Sequence, residues 1–163
     1  YEESEATNRR ALEGYEKCFG LDHPDTLMAV ENLSILLLKQ RKFIESAKLF
    51  RHALESREKT LGADHPSVLS TIDNLAIALE AQGKFAETEE LLQRALITRE
   101  SALGSEHPNV CETLESLACL HEKQDRYSQA EEAYERAYQG FSKTLGEHHL
   151  TTLECTRKLK LLR

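Results

Sequence analysis

The sequence predicts an all-α solenoid of antiparallel helix pairs, and three observations carry that prediction. First, a hexamer written LGADHP at 61–66 returns as FGLDHP at 19–24, LGSEHP at 103–108 and LGEHHL at 145–150, placing Gly20, Gly62, Gly104 and Gly146 at intervals of 42 residues. A fixed period of this length marks a repeat array, in which each unit buries its apolar face against its neighbours. Second, residues 61–102 laid over 103–144 agree at 14 of 42 positions without a gap, where average composition gives roughly two or three. Third, apolar residues between the hexamers recur at three- and four-residue steps, the spacing of one helical face.

Taken in order, residues 1–22 read as the second helix of a partial repeat. Full repeats follow over 23–64, 65–106 and 107–148, and 149–163 is a partial repeat or capping helix, all within a single array. In the middle repeat the first helix buries Leu69, Ile72, Leu75, Ala76 and Leu79. After the turn QGKF the second helix buries Phe85, Thr88, Leu91, Leu92, Ala95 and Leu96. Phe43, Phe85 and Tyr127 open the second helices and are expected to fill the hairpin mouth, so that Phe85→Ala costs roughly 3–5 kcal/mol. Ala53, Ala95 and Ala137 sit ten residues further on and let helices approach closely.

Capping chemistry explains the hexamer. Leu61 closes one helix, and Gly62 supplies the left-handed residue that satisfies its last carbonyls. Pro66 suits the first position of the next helix, where a missing N–H costs nothing, which leaves His65 or Asp64 for the N-cap. Histidines one repeat apart cannot share a metal ion, whose ligands lie within about 2 Å, because packed helix axes are ~8–10 Å apart. No metal or cofactor is expected.

Charged residues make up 30% of the chain and the formal net charge is −7, which argues against nucleic acid or an anionic membrane as a partner. No apolar run approaches the roughly 20 residues needed to span a bilayer. The start, YEESEATNRR, has neither a signal-peptide nor a transit-peptide pattern, so a soluble, cytoplasmic protein is expected. Cys18, Cys111, Cys119 and Cys155 form no CxxC pair and read as small hydrophobes in a reducing compartment.

The residues Asn74, Leu75 and Ala76, then Gly83, Lys84 and Phe85, then Arg94, Ala95 and Leu96, with Leu61, Gly62, His65 and Pro66 between helices, make a pattern over essentially the whole chain. It resembles the tetratricopeptide repeat in its 42-residue form, found in kinesin light chains and in the C-terminal arrays of some nucleotide-binding signalling proteins. The resemblance implies a right-handed superhelix whose first helices line a concave groove for an extended peptide.

On the face of each first helix opposite its buried seam, three columns repeat: Glu31, Asp73 and Glu115; Asn32, Asn74 and Ser116; Ile35, Ile77 and Cys119. These nine residues are the candidate peptide-binding site. An asparagine offers a donor and an acceptor and can bracket a peptide group without regard to sequence, a use that the resemblance implies for Asn32 and Asn74. Kinesin light chains tend to carry a second asparagine where this chain has an acid. That departure, with Glu80, Glu112 and Glu122 nearby, predicts a protein or peptide ligand carrying Lys or Arg. The last helix instead places Arg157, Lys158, Lys160 and Arg163 together and reads as a polar cap, or as a dock for a ligand's acidic end.

Catalysis is not expected. The chain has no phosphate-binding glycine loop, no GxGxxG and no HExxH. Cys119 and His121 are two apart on a helix and face different directions, so His121 reads as a satisfied interior histidine. The function predicted is a scaffold holding an extended, basic segment of a partner. The other reading is a structural spacer or self-association module within a larger kinesin-light-chain-like or nucleotide-binding signalling protein, in which the array ends stack on another copy.

Overall fold

The computed structural model describes residues 2–162; Tyr1 and Arg163, at the ends of the predicted partial repeats, lie outside the described residues. Eight helices follow in order: α1 (Glu2–Phe19), α2 (Pro24–Lys39), α3 (Phe43–Leu61), α4 (Pro66–Glu80), α5 (Phe85–Leu103), α6 (Pro108–Glu122), α7 (Tyr127–Leu145) and α8 (Leu150–Leu162). No strand occurs among the described residues, and the fold is an all-α repeat fold. The helices divide into two compact units, with a boundary between Lys84 and Phe85.

Each turn has a physical cause. His23, His65, His107 and His149 all take the N-cap role, their Nδ1 atoms accepting the backbone N–H two residues on, at 3.3, 3.1, 3.2 and 3.3 Å. Asp64 is exposed and leaves the cap to the imidazole. Gly62 closes α3 with its N–H donated to the Glu58 carbonyl at 3.1 Å. Its φ is positive as expected, but at φ 87° and ψ 155° it lies outside the left-handed helical region, in backbone space open essentially only to glycine.

In the N-terminal unit α2 packs on α1 and α3, α4 packs on α3, and α2 also touches α4. Leu12, Leu27, Val30, Leu33, Leu37 and Ala53 form one buried cluster. The predicted seam of α4, Leu69, Ile72, Leu75, Ala76 and Leu79, is buried throughout. Glu5 of α1 accepts from Lys42 at 2.8 Å and from Arg9 at 2.9 Å, and these bonds, Lys42 foremost, hold its carboxyl at about 2.

In the C-terminal unit α6 packs on α5 and α7, and α7 on α8. Tyr134, Ala137 and Phe141 are fully buried on α7. The α6–α7 approach is close enough that a Cβ at Gly140 would run into Cys111 Sγ and stand 3.4 Å from the Glu106 backbone.

Three further expectations change. The hairpin-mouth rings are less buried than their spacing suggests: Phe43 and Phe85 are half-buried, and Tyr127 is 52% exposed, its hydroxyl donating to Asp125 at 2.7 Å. Their positions in the first turn of a helix leave one side of the ring to solvent. Cys18 is exposed rather than a core residue, while Cys111 and Cys155 are buried. His121 is buried, but its Nδ1 has no hydrogen-bond partner.

Candidate functional site

The columns on the first helices are best followed within each unit. In the N-terminal unit, α2 and α4 turn Leu33, Leu37, Leu75 and Leu79 into the core, so the residues at the opposite angle are carried outward. Asn32 and Ile77 are exposed, Ile77 by 56%, and Glu31, Ile35, Asp73 and Asn74 are half-buried. Met28, one turn before Asn32, is also exposed. The amides of Asn32 and Asn74 make no side-chain hydrogen bond among the described residues. Both therefore keep a donor and an acceptor for an outside group.

The acids on this face differ from the amides. Glu31 forms a two-point pair with Arg57 of α3, at 3.1 and 2.8 Å. Arg57 also donates to the Thr71 hydroxyl on α4 at 2.6 Å, so one guanidinium ties α3 to both α2 and α4. With Arg57 12% and Glu31 19% exposed, the pair is largely withdrawn from water, which strengthens its charge-assisted bonds. Asp73 also has a polar or charged partner.

In the C-terminal unit, α6 carries Glu115, Ser116 and Cys119. Glu115 accepts from Lys158 of α8 at 2.7 Å, and Ser116 is exposed with its hydroxyl donating to the Glu112 carbonyl at 3.0 Å. Cys119 does not continue an apolar column. Its Sγ lies 3.0 Å from the Tyr134 hydroxyl and 3.7 Å from Lys158 Nζ, and the same hydroxyl donates to Glu122 at 3.2 Å. Burial, with help from the neighbouring thiol and carboxylate, pushes the Tyr134 hydroxyl above its ordinary range, so it stays protonated as a donor. The sequence-predicted residues of this unit thus join a polar knot linking α6, α7 and α8. Lys158 belongs to it, while Arg157 is exposed.

The structure gives Cys119 and His121 separate surroundings. His121 Nδ1 lies 3.9 Å from Glu89 of α5, whose carboxylate is taken by Arg126. Burial, and then Arg126, hold the imidazole below its ordinary range, so it is neutral. Among the described residues, no three His, Cys, Asp or Glu side chains are placed to hold a metal ion, and no helix is long and apolar enough to cross a membrane.

Sequence reasoning missed the cations that meet these acids. Arg57 is 26 residues from Glu31 and Lys158 is 43 from Glu115, separations with no local signal. The repeat offered a partial one, since Arg57 and Arg99 share a position, and Arg99 donates to Thr113 at 2.6 Å just as Arg57 does to Thr71.

The chain matches the family described as Tetratricopeptide repeat over residues 1–59, 30–96 and 67–143. Among solved structures, it is similar to a glutamine-to-methionine variant of a Podosopora anserina protein assigned as a kinesin light chain with nearly identical TPR-like repeats, at 25% identity and a TM-score of 0.88, over 99% of this chain and 76% of that one. The form of that protein without the change superposes at 0.86 with the same identity and coverage. BtubC (BKLC) from P. vanneervenii shares the fold, at 20% identity and a TM-score of 0.78, over 99% of this chain and 65% of that one. No curated protein matches the chain closely in sequence.

Proposed function

Because the chain belongs to the tetratricopeptide-repeat family, we propose that it is a protein–protein interaction scaffold that holds an extended segment of a partner along α2 and α4. The observation that carries this reading is the pair of amides, Asn32 and Asn74, left without internal hydrogen bonds beside the exposed Ile77. The amides bracket peptide groups of the segment, and Ile77, with Met28 and Ile35 on the neighbouring helix, receives an apolar side chain. Burying such a side chain supplies affinity, and the amides set its register.

A Lys or Arg in the segment is favoured at Asp73 and beside Glu31, though less strongly than a bare acidic column suggests. Glu31 already holds Arg57 and Glu115 holds Lys158, so a ligand cation must share or displace an existing partner. The preference should therefore be modest and weaken with salt. Within the C-terminal unit, the same accounting leaves Glu115, Ser116 and Cys119 less able to take a ligand group.

Selection of random peptides, run in parallel on the chain and on a variant carrying Asn32→Ala, Asn74→Ala and Ile77→Ser, tests the proposal. Extended peptides with an apolar anchor should be enriched by the first and lost by the second. Recovery of the same peptides by both proteins would place the binding surface elsewhere. Repeating the selection with Asp73→Lys separates the charge preference, since only Lys- and Arg-bearing peptides should then drop out.

A further inference from the structure

A second surface lies in the N-terminal unit, away from the amides. An open cleft of about 790 Å³ runs between the α2–α3 turn and the α4–α5 turn, within the size range of ligand-binding pockets, roughly 300–1,000 Å³. Phe43 and Ile44 form its floor, and Ile44 is 78% exposed. The floor is held in place from the far wall, where the Gln82 amide donates to the Phe43 carbonyl at 3.0 Å and to the Ala78 carbonyl at 2.9 Å.

The rim is cationic on a chain of net charge −7. Arg41, Lys42, Lys48 and Lys84 line the cleft with a single acid, Glu45. Glu45 accepts from Arg9 at 2.6 Å and Lys42 donates to Glu5 at 2.8 Å, so these two charges are answered on their own side. Arg41 and Lys48 are exposed and make no ion pair among the described residues. Their aliphatic stems extend the apolar wall while their charged heads stay in water.

The repeat shows that this arrangement is particular to one hairpin. At the equivalent positions of the α6–α7 hairpin, Asp125 stands for Arg41, Ser128 for Ile44 and Glu132 for Lys48. Two cations become acids and the apolar anchor becomes a hydroxyl. Arg41 also has φ 62°, a backbone conformation that its equivalents Gly83 and Asp125 take more easily. The turn's geometry therefore gives no reason for an arginine there.

We infer that this cleft docks an acidic segment of a protein partner, with one aliphatic or aromatic side chain of that segment seated on Phe43 and Ile44. Carboxylates flanking the anchor meet Arg41 and Lys48, with Lys84 on the opposite wall. A nucleic acid or an anionic bilayer calls for an extended basic surface, which a chain of net charge −7 disfavours. A short acidic peptide spans only the cationic rim.

Fluorescence anisotropy tests this with a labelled peptide of Asp and Glu around one central leucine, titrated with the chain at low and physiological salt. The comparison proteins are Arg41→Asp with Lys48→Glu, and separately Ile44→Ser, all residues that the equivalent hairpin already carries. The charge pair should weaken binding roughly tenfold at low salt and less as salt rises. Ile44→Ser, and replacement of the peptide's leucine by serine, should each lower affinity several-fold. Equal affinity for all three proteins, or for both peptides, would overturn the inference. So would a single-stranded oligonucleotide or a phosphatidylserine vesicle that binds more tightly than the peptide and is lost with the same substitutions.

Discussion

The same half-buried acid is neutralised in two different ways in the two units. In the N-terminal unit Glu31 of α2 meets Arg57 of α3, the next helix in the chain; in the C-terminal unit Glu115 of α6 meets Lys158, two helices on. The cause is visible at one position, where Phe141 stands in place of Arg57 and Arg99 and is fully buried in α7. Once that place is taken by an aromatic ring it cannot supply a charge. A half-buried carboxylate still needs a cation or donors, and α8 provides one. A repeat can thus preserve a requirement while changing the residue that meets it.

The sharpest way to break this comparison is at Phe141 itself. Phe141→Ala empties a fully buried site and should cost about 3–5 kcal/mol in urea unfolding. A loss under about 1 kcal/mol would mean that the ring does not displace the arginine by packing. Next come the two cations. Arg57→Ala should cost about 2–3 kcal/mol, because it strands Glu31 and leaves Thr71 without its donor. Lys158→Ala should cost about 0.5–1 kcal/mol, since its side chain is 33% exposed and water can replace it. Equal losses would show that the two solutions are energetically alike.

Smaller effects test the α6 helix against α2 and α4, which carry Leu37 and Leu79 where it has His121. His121→Leu should stabilise the fold, on the order of 1 kcal/mol near neutral pH, by removing a buried nitrogen that has no partner. The imidazole is held below its ordinary value of 6.5. A base depressed in the folded state takes up a proton on unfolding, so stability falls as pH drops below 6.5. Thermal melts should therefore show the advantage of the leucine growing from pH 7 to 5; a constant gap would remove the titration from the explanation. The least effect is expected at a cap: His65→Ala should cost about 0.5–1 kcal/mol, measurable in the same melts, and a loss beyond about 2 kcal/mol would assign His65 more than its cap.

Much of this was legible in the chain. The buried seam of α4 and the positions of its cap and of the glycine that closes α3 followed from period, spacing and the chemistry of helix ends, which act over a few residues. The histidine cap was narrowed to two neighbours and resolved by which side chain reaches the N–H. At the candidate site, the outward placement of Asn32, Asn74 and Ile77 was legible because helical angle alone sets it. The condition of the acids beside them was not, because Arg57 and Lys158 reach them only after the helices pack. Cys119 misled for the same reason: its column position suggests an apolar contact, and the Tyr134 hydroxyl from α7 makes it polar.

What the sequence by itself determined is therefore everything that depends on local geometry: helix identity, the repeat register, the ends of helices and the face each residue occupies. Tertiary structure decided which charges are answered, which rings stay half in solvent and where a cleft opens between successive turns. The physical reason is range. Backbone hydrogen bonding and side-chain period are settled within one or two helical turns, whereas electrostatic compensation and cavity shape arise between side chains that only packing brings together.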